Sequence, residues 1–148
     1  MRTKVVILFL LLILLFMACD KKDPVSSASA VKKTANLTIT VDETPILMTW
    51  DYWVELWYID CYVTASETTG VGVDISRAQM WFIYQDQKYE EQSINGFRLN
   101  GHSSYMLNIR AGTEYHYEEV EFYIEGRDDN GHLVNRRKRY DLHYVGLD

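Results

Sequence analysis

Cysteine, proline and positive charge are all scarce in this sequence, and each scarcity excludes something. Only Cys19 and Cys61 occur among 148 residues, which rules out a disulfide-stapled scaffold and a four-cysteine zinc site. Two prolines and eight glycines are too few for a collagen-like or proline-rich recognition segment. Lys and Arg number 15 against 21 Asp and Glu, a formal charge of −6, so nothing in the balance of charge favours nucleic acid as a partner. No apolar run reaches the roughly 18 to 20 residues of a membrane-spanning helix. The histidines His102, His116, His132 and His143 show neither H-x-x-x-H nor H-E-x-x-H spacing. His102-Ser103-Ser104 is not part of a G-x-S-x-G nucleophile elbow. The motifs therefore point to no catalytic residue, no metal site and no cofactor, and the expectation is a non-enzymatic protein.

What is present begins at the N-terminus. After Met1-Arg2-Thr3-Lys4, residues 5–17 form an apolar run of 13 residues, and a short cationic start followed by such a run has the form of a secretory signal peptide. The run ends Phe16-Met17-Ala18-Cys19, which resembles the lipobox of bacterial lipoproteins: a small residue precedes a cysteine that is diacylated on sulfur and becomes the first residue after cleavage. The resemblance implies loss of residues 1–18, covalent lipid on Cys19, and attachment to a membrane of the bacterial cell envelope. Two or more acyl chains anchor stably, at about 0.8 kcal/mol per buried CH₂. Which membrane and which leaflet receive the lipid are left open by Asp20, the residue after the cysteine.

Residues 19–35 continue as a flexible tether. The stretch DKKDPVSSASAVKKTA is charged and small, with neither helical nor strand period, and its extended reach is on the order of 50 Å. Cleavage removes Arg2 and Lys4, so 13 basic residues face 21 acidic ones, a formal mature charge of −8. One run opposes that balance, Arg136-Arg137-Lys138-Arg139. In a strand its side chains split into two pairs on opposite faces, and the run reads best as a charged edge that resists edge-to-edge pairing. Cys61 alternates in phase with Ile59 and Val63, as a buried inert thiol would.

Residues 36–148 suffice for one domain with its own core. The chain's 11 tyrosines, five phenylalanines and four tryptophans, with β-branched residues between them, favour strands. Alternation predicts strands over 36–41, 46–50, 53–65, 77–85, 88–93, 104–110, 117–125 and 133–145, with Asn95-Gly96 and Asn100-Gly101 as hairpin signals. The expected fold is an antiparallel β-sandwich of about seven to nine strands. Residues 120–136, VEFYIEGRDDNGHLVNR, resemble the last hairpin of bacterial immunoglobulin-like or fibronectin type III-like domains. That resemblance implies an immunoglobulin-like sandwich, with Trp81 the candidate for the buried tryptophan of the third strand, while an up-and-down barrel stays open. Asp128-Asp129-Asn130-Gly131 has oxygen ligands that calcium could use, but it lacks the rest of an EF-hand and is explained by turn chemistry.

One cluster points to binding. Trp50, Tyr52, Trp53, Trp57 and Tyr58 fall within nine residues, more aromatics than one core face needs. Strand alternation would hide Trp53, Trp57, Ile59 and Cys61 and leave Tyr52, Tyr58 and Tyr62 as a candidate binding surface. The functional expectation is a membrane-anchored envelope lipoprotein that binds a protein partner or acts structurally. The alternative is a glycan-binding module that uses the aromatics of residues 50–58.

Overall fold

A computed structural model describes residues 31–146. The signal peptide expected over residues 1–18, the lipidated Cys19 and the tether up to residue 30 lie outside the described residues. Nine strands account for the regular structure: β1 (Leu37–Val41), β2 (Ile46–Asp51), β3 (Leu56–Glu67), β4 (Val73–Tyr84), β5 (Gln87–Ile94), β6 (Phe97–Leu99), β7 (Ser104–Thr113), β8 (Glu119–Asp128) and β9 (Leu133–Val145). No helix among the described residues is long and apolar enough to cross a membrane.

The strands form a sandwich whose two halves share β9. In the first half β1, β2 and β7 pair with β3. In the second, β5, β6 and β8 pair with β4. β9 runs antiparallel to β8 through Asp141, then continues parallel to β2 from Leu142 to Val145. The expected all-β sandwich is thus present, but as a mixed sheet: the wholly antiparallel arrangement expected is corrected by the parallel β2–β9 pair. β9 has 13 residues and outruns the start of β8, so its last turns of chain need a new neighbour, and β2 already points the same way. The hydrogen-bonded path ends at β1 and β5 without closing, which sets the barrel aside.

Alternation builds the core. Trp57, Ile59, Cys61, Val63 and Ala65 of β3 face inward against Met80 and Phe82 of β4 and Val120, Phe122 and Ile124 of β8, the interdigitation that holds two stacked sheets about 10 Å apart. Trp81 departs from expectation. It is buried, but its parity is opposite to Met80 and Phe82, so it lies on the outer side of its sheet, and Trp57 is the tryptophan of the core. Trp81 is covered by the Lys88 ammonium, 3.6 Å from its ring centroid, and donates to Glu91. Beside it, fully buried Glu121 is paired with Lys88, Arg137 and Arg139. Burial pushes the Glu121 carboxyl pKa up, but hydrogen bonds from Lys88 and Arg139 outweigh it and hold the group below its ordinary value.

The basic run lies in the part of β9 that pairs only with β8, so it is an edge, and its charges divide as alternation requires: Arg137 and Arg139 reach Glu121, whereas Lys138 lies over Tyr140 on the other face. The Asn-Gly signals are not hairpin turns. Gly96 connects two strands that both pair with β4, and a Cβ there would meet the Ile75 carbonyl oxygen at 2.6 Å. The tight two-residue hairpin is instead Gln85-Asp86, both at positive φ (47° and 61°).

Strand direction gives the sandwich two ends. β3 runs from Leu56 at one to Glu67 at the other, about 35 to 40 Å along its axis. The chain reaches the sandwich at the Glu67 end, here termed proximal, where Lys33, Thr34 and Ala35 are already bound: the Ala35 amide donates to Asp128, and the Lys33 and Thr34 carbonyls accept from Asn130 and Thr69. The domain's contacts therefore start within the stretch expected to be tether. The opposite, distal end carries the connections at residues 52–55, 85–86 and 114–118.

Candidate functional site

The distal end exposes the aromatics. β2 and β3 form a hairpin whose turn, residues 52–55, is where a continuous strand from residue 53 was expected; Glu55 takes positive φ (54°) and Asp51 accepts the Trp53 amide at 2.9 Å. Trp53 is consequently 96% exposed rather than hidden. Its alternation with Trp57 is lost because the turn, not the pleat, sets its direction. Trp57, Ile59 and Cys61 are buried as alternation required, at 2%, 0% and 4% exposure.

Of the three candidate tyrosines, two meet in one place. Tyr52 (72% exposed) and Tyr58 line a cleft of about 570 Å³ together with Trp50, Trp53, Asp60 and Arg110. Tyr62, 45% exposed, lies on the same face of β3 but further along and outside the cleft. Tyr58 faces Gly112 across the β3–β7 ladder, and a Cβ on Gly112 would meet its ring at 2.6 Å, so the glycine is what lets the ring lie over the neighbouring strand. The Arg110 guanidinium sits 5.4 Å from the centroid of that ring. The tip is tied to the core through rings: Trp50 lies 5.3 Å from Trp57, which makes an edge contact with Tyr144 at 4.8 Å, and Tyr52 donates to the Gly146 carbonyl.

The cleft offers recognition chemistry: flat apolar rings, carboxylates at Asp42, Glu43, Asp51 and Asp60, and one guanidinium. It offers no activated nucleophile. The Cys61 thiol is pushed up to about 12 by burial and by the nearby Asp42 and Asp60 carboxylates, so at neutral pH it carries no thiolate. Asp128 in the turn segment is fully engaged by the amides of Ala35, Asn130 and His132, a turn-forming role that leaves it no ligand geometry. Among the described residues no group of three His, Cys, Asp or Glu side chains converges as a metal site needs.

The sequence reading missed a second distal hollow, of about 530 Å³, lined by Tyr84, Tyr89, Glu90, Tyr115, His116 and Tyr117. Its members come from the β4–β5 hairpin and the β7–β8 connection, 25 to 33 positions apart. The only linear trace is Tyr115-His116-Tyr117, which carries no period and marks no motif.

No protein-family model matches the sequence, and no curated protein matches it. The fold is similar to the crystal structure of a protein from Bordetella pertussis described as ApaA: TM-score 0.56, 10% identity, covering 74% of this chain and 96% of that one. At that identity the likeness establishes the shared sandwich and nothing about activity.

Proposed function

We propose that this chain is a non-catalytic lipoprotein of the bacterial cell envelope, held to a membrane by lipid on Cys19, whose sandwich binds a partner through the distal aromatic cleft. The observation that carries the binding site is Trp53, 96% exposed beside Tyr52 at 72%. Large aromatic rings left in water at a hairpin tip mark a contact surface, and although the Tyr52 hydroxyl is tied to the Gly146 carbonyl, the Trp53 ring buries almost nothing in the fold. Placement supports the reading: the chain meets the sandwich at the proximal end, so a domain tethered from that side carries the cleft at its far end.

Two measurements test it. Intact mass of the mature protein should show acylated Cys19 with residues 1–18 absent, the protein should enter the detergent phase, and Cys19→Ser should be neither diacylated nor cleaved; an unmodified cysteine on processed protein refutes the anchor. Tyr52→Ala with Tyr58→Ala should keep the fold and lose capture of envelope partners from solubilised membranes. Unchanged capture refutes the cleft. A glycan remains the second reading because the cleft sets exposed ring faces beside carboxylate and guanidinium groups that can hydrogen-bond hydroxyls. Binding of the lipoprotein to isolated envelope polysaccharide, abolished by Trp53→Ala, would select it.

A further inference from the structure

We infer that the second distal hollow, walled by Tyr89, Tyr115 and Tyr117 with Glu90 at its rim, is a binding site for a small free organic cation of the alkylammonium type. This site is separate from the cleft at residues 50–58, and neither stands on the other.

Three observations converge. The first is the set of rings. Tyr117 is the floor, 7% exposed and stacked on Phe82 at 5.1 Å and 16°. Tyr89 and Tyr115 stand over it, 38% and 63% exposed, with centroids 5.6 and 6.4 Å from that of Tyr117 and planes inclined by 32° and 64°. With one face of Tyr117 on Phe82 and Tyr89 packed against it, Tyr117 backs the hollow, and the ring faces left for an ammonium, whose cation–π contact reaches ~6 Å, are those of Tyr89 and Tyr115.

The second is the backbone that aims the carboxylate. β5 carries a bulge: Tyr89 pairs with Phe82 and Gln92 with Met80, so Glu90 and Glu91 both stand opposite Trp81 alone. Glu90 takes φ of 47°, a left-handed conformation uncommon for such a residue. The bulge separates the two glutamates. Glu91 goes to Trp81 on the outer face, while Glu90 turns to the hollow. Strain of this kind persists where the surroundings enforce it, and bulges commonly re-aim a side chain at a site.

The third is unspent charge. Glu90 Oε1 accepts from the Thr113 hydroxyl and the Tyr117 hydroxyl, each at 3.0 Å, which fixes the carboxylate at the rim. Oε2 has no hydrogen-bond partner, and no Lys or Arg pairs with Glu90, among the described residues. Rings that attract positive charge and a fixed, unpaired carboxylate together select a cation over a neutral or anionic ligand. The hollow, at about 530 Å³, admits a group of that size.

The test is a titration of the full lipidated chain, in a detergent without a choline headgroup, with choline chloride and in parallel with its uncharged carbon isostere, dimethylbutanol. Tyrosine ring shifts by NMR report the site. Choline should saturate shifts at Tyr89, Tyr115 and Tyr117, with the isostere about ten-fold weaker, the share that cation–π contact contributes. Tyr115→Leu keeps apolar bulk at an exposed position and should weaken choline about as much as that, with the remaining spectrum unchanged. Glu90→Gln should weaken choline without affecting the isostere. Equal affinity for the two titrants, an unaffected Tyr115→Leu, or no saturable shift overturns the proposal. Tighter binding of phosphocholine than of choline would overturn the assignment to a free cation and point to a lipid headgroup.

Discussion

The two ends of this sandwich are built from different chemistry. At the proximal end, buried carboxylates hold backbone. Glu67, 2% exposed, accepts the amides of Asn36, Thr69, Gly70 and His102 at 2.7 to 3.2 Å, and Asp128, 4% exposed, accepts those of Ala35, Asn130 and His132. Two neighbouring amides, Ala35 and Asn36, are thus gripped by carboxylates from the two different halves. At the distal end the carboxylate-to-amide bonds, Asp51 with Trp53 and Glu118 with Gln85, are exposed, the inner contacts run ring on ring, and several rings face water. Carboxylate-to-amide bonds are short-ranged and directional, so they pin the incoming chain. Aromatic contacts leave faces free, and a free face can be used by something else. Under the proposed function, that contrast is one between an attachment end and a recognition end.

The strongest attempt to break that contrast is Glu67→Ala. Four buried or half-buried amides lose their acceptor, and stability by urea denaturation should fall by about 3 kcal/mol. A loss below about 1 kcal/mol would mean that water replaces the carboxylate, and the proximal clamp would not distinguish the ends.

Acid probes the same clamp. Burial pushes the Glu67 carboxyl up, but the Thr69 hydroxyl and the amides of His102, Thr69 and Gly70 outweigh it and hold the pKa at about 2. Burial likewise opposes the amides of His132, Ala35 and Asn130 at Asp128, which also ends at about 2. Both folded values lie below the ordinary 4.5 and 3.8. Their stabilisation is therefore complete above the higher pair and is lost as pH falls toward 2. Melting temperature should stay level above about pH 5 and drop below it, with a shallower drop in Glu67→Gln.

Glycine substitutions sharpen the comparison at intermediate size. A Cβ on Gly101, at the proximal end, would lie 2.3 Å from the Gly70 carbonyl oxygen. Backbone must move, and Gly101→Ala should cost about 2 kcal/mol. On Gly112 the obstacle is the Tyr58 ring at 2.6 Å, a side chain that can swing, so Gly112→Ala should cost no more than about 1 kcal/mol while displacing Tyr58 from the cleft. Equal costs would erase the distinction between backbone packing and side-chain packing. The smallest effect is expected at the tip, where Trp53→Ala should change stability by less than about 0.5 kcal/mol, because the ring buries almost nothing in the fold. A larger loss would make Trp53 structural.

Much of the fold was legible because period-2 burial is local information. In β3 and β8 the inward residues could be read off parity, and eight of the nine strands were placed near their observed positions. β6 was missed, since three residues do not establish a period. Parity failed at Trp53 and Trp81 for different reasons. Trp53 sits in a turn that contains neither glycine nor proline to announce it, and Trp81 is buried by long charged side chains on a face that alternation assigns to solvent. Of the site, Tyr58 was legible as lying opposite the buried face of β3, where it is half-buried, and Tyr52 as exposed although the turn and not a strand places it, whereas the hollow around Glu90 was not legible.

By itself the sequence determined the class of the fold, the strand positions and the inward faces, because each depends on the order of apolar and polar residues over a few positions. It also carries the lipobox-like run, a purely linear signal. Only the tertiary structure decided that β9 changes neighbours and lies parallel to β2, that consecutive amides meet carboxylates from the two halves, and that Glu90 faces tyrosines some 25 residues away. Those features depend on which strand ends arrive side by side. That is set by packing of the whole sandwich and by a bulge in one edge strand, and neither leaves a periodic trace along the chain.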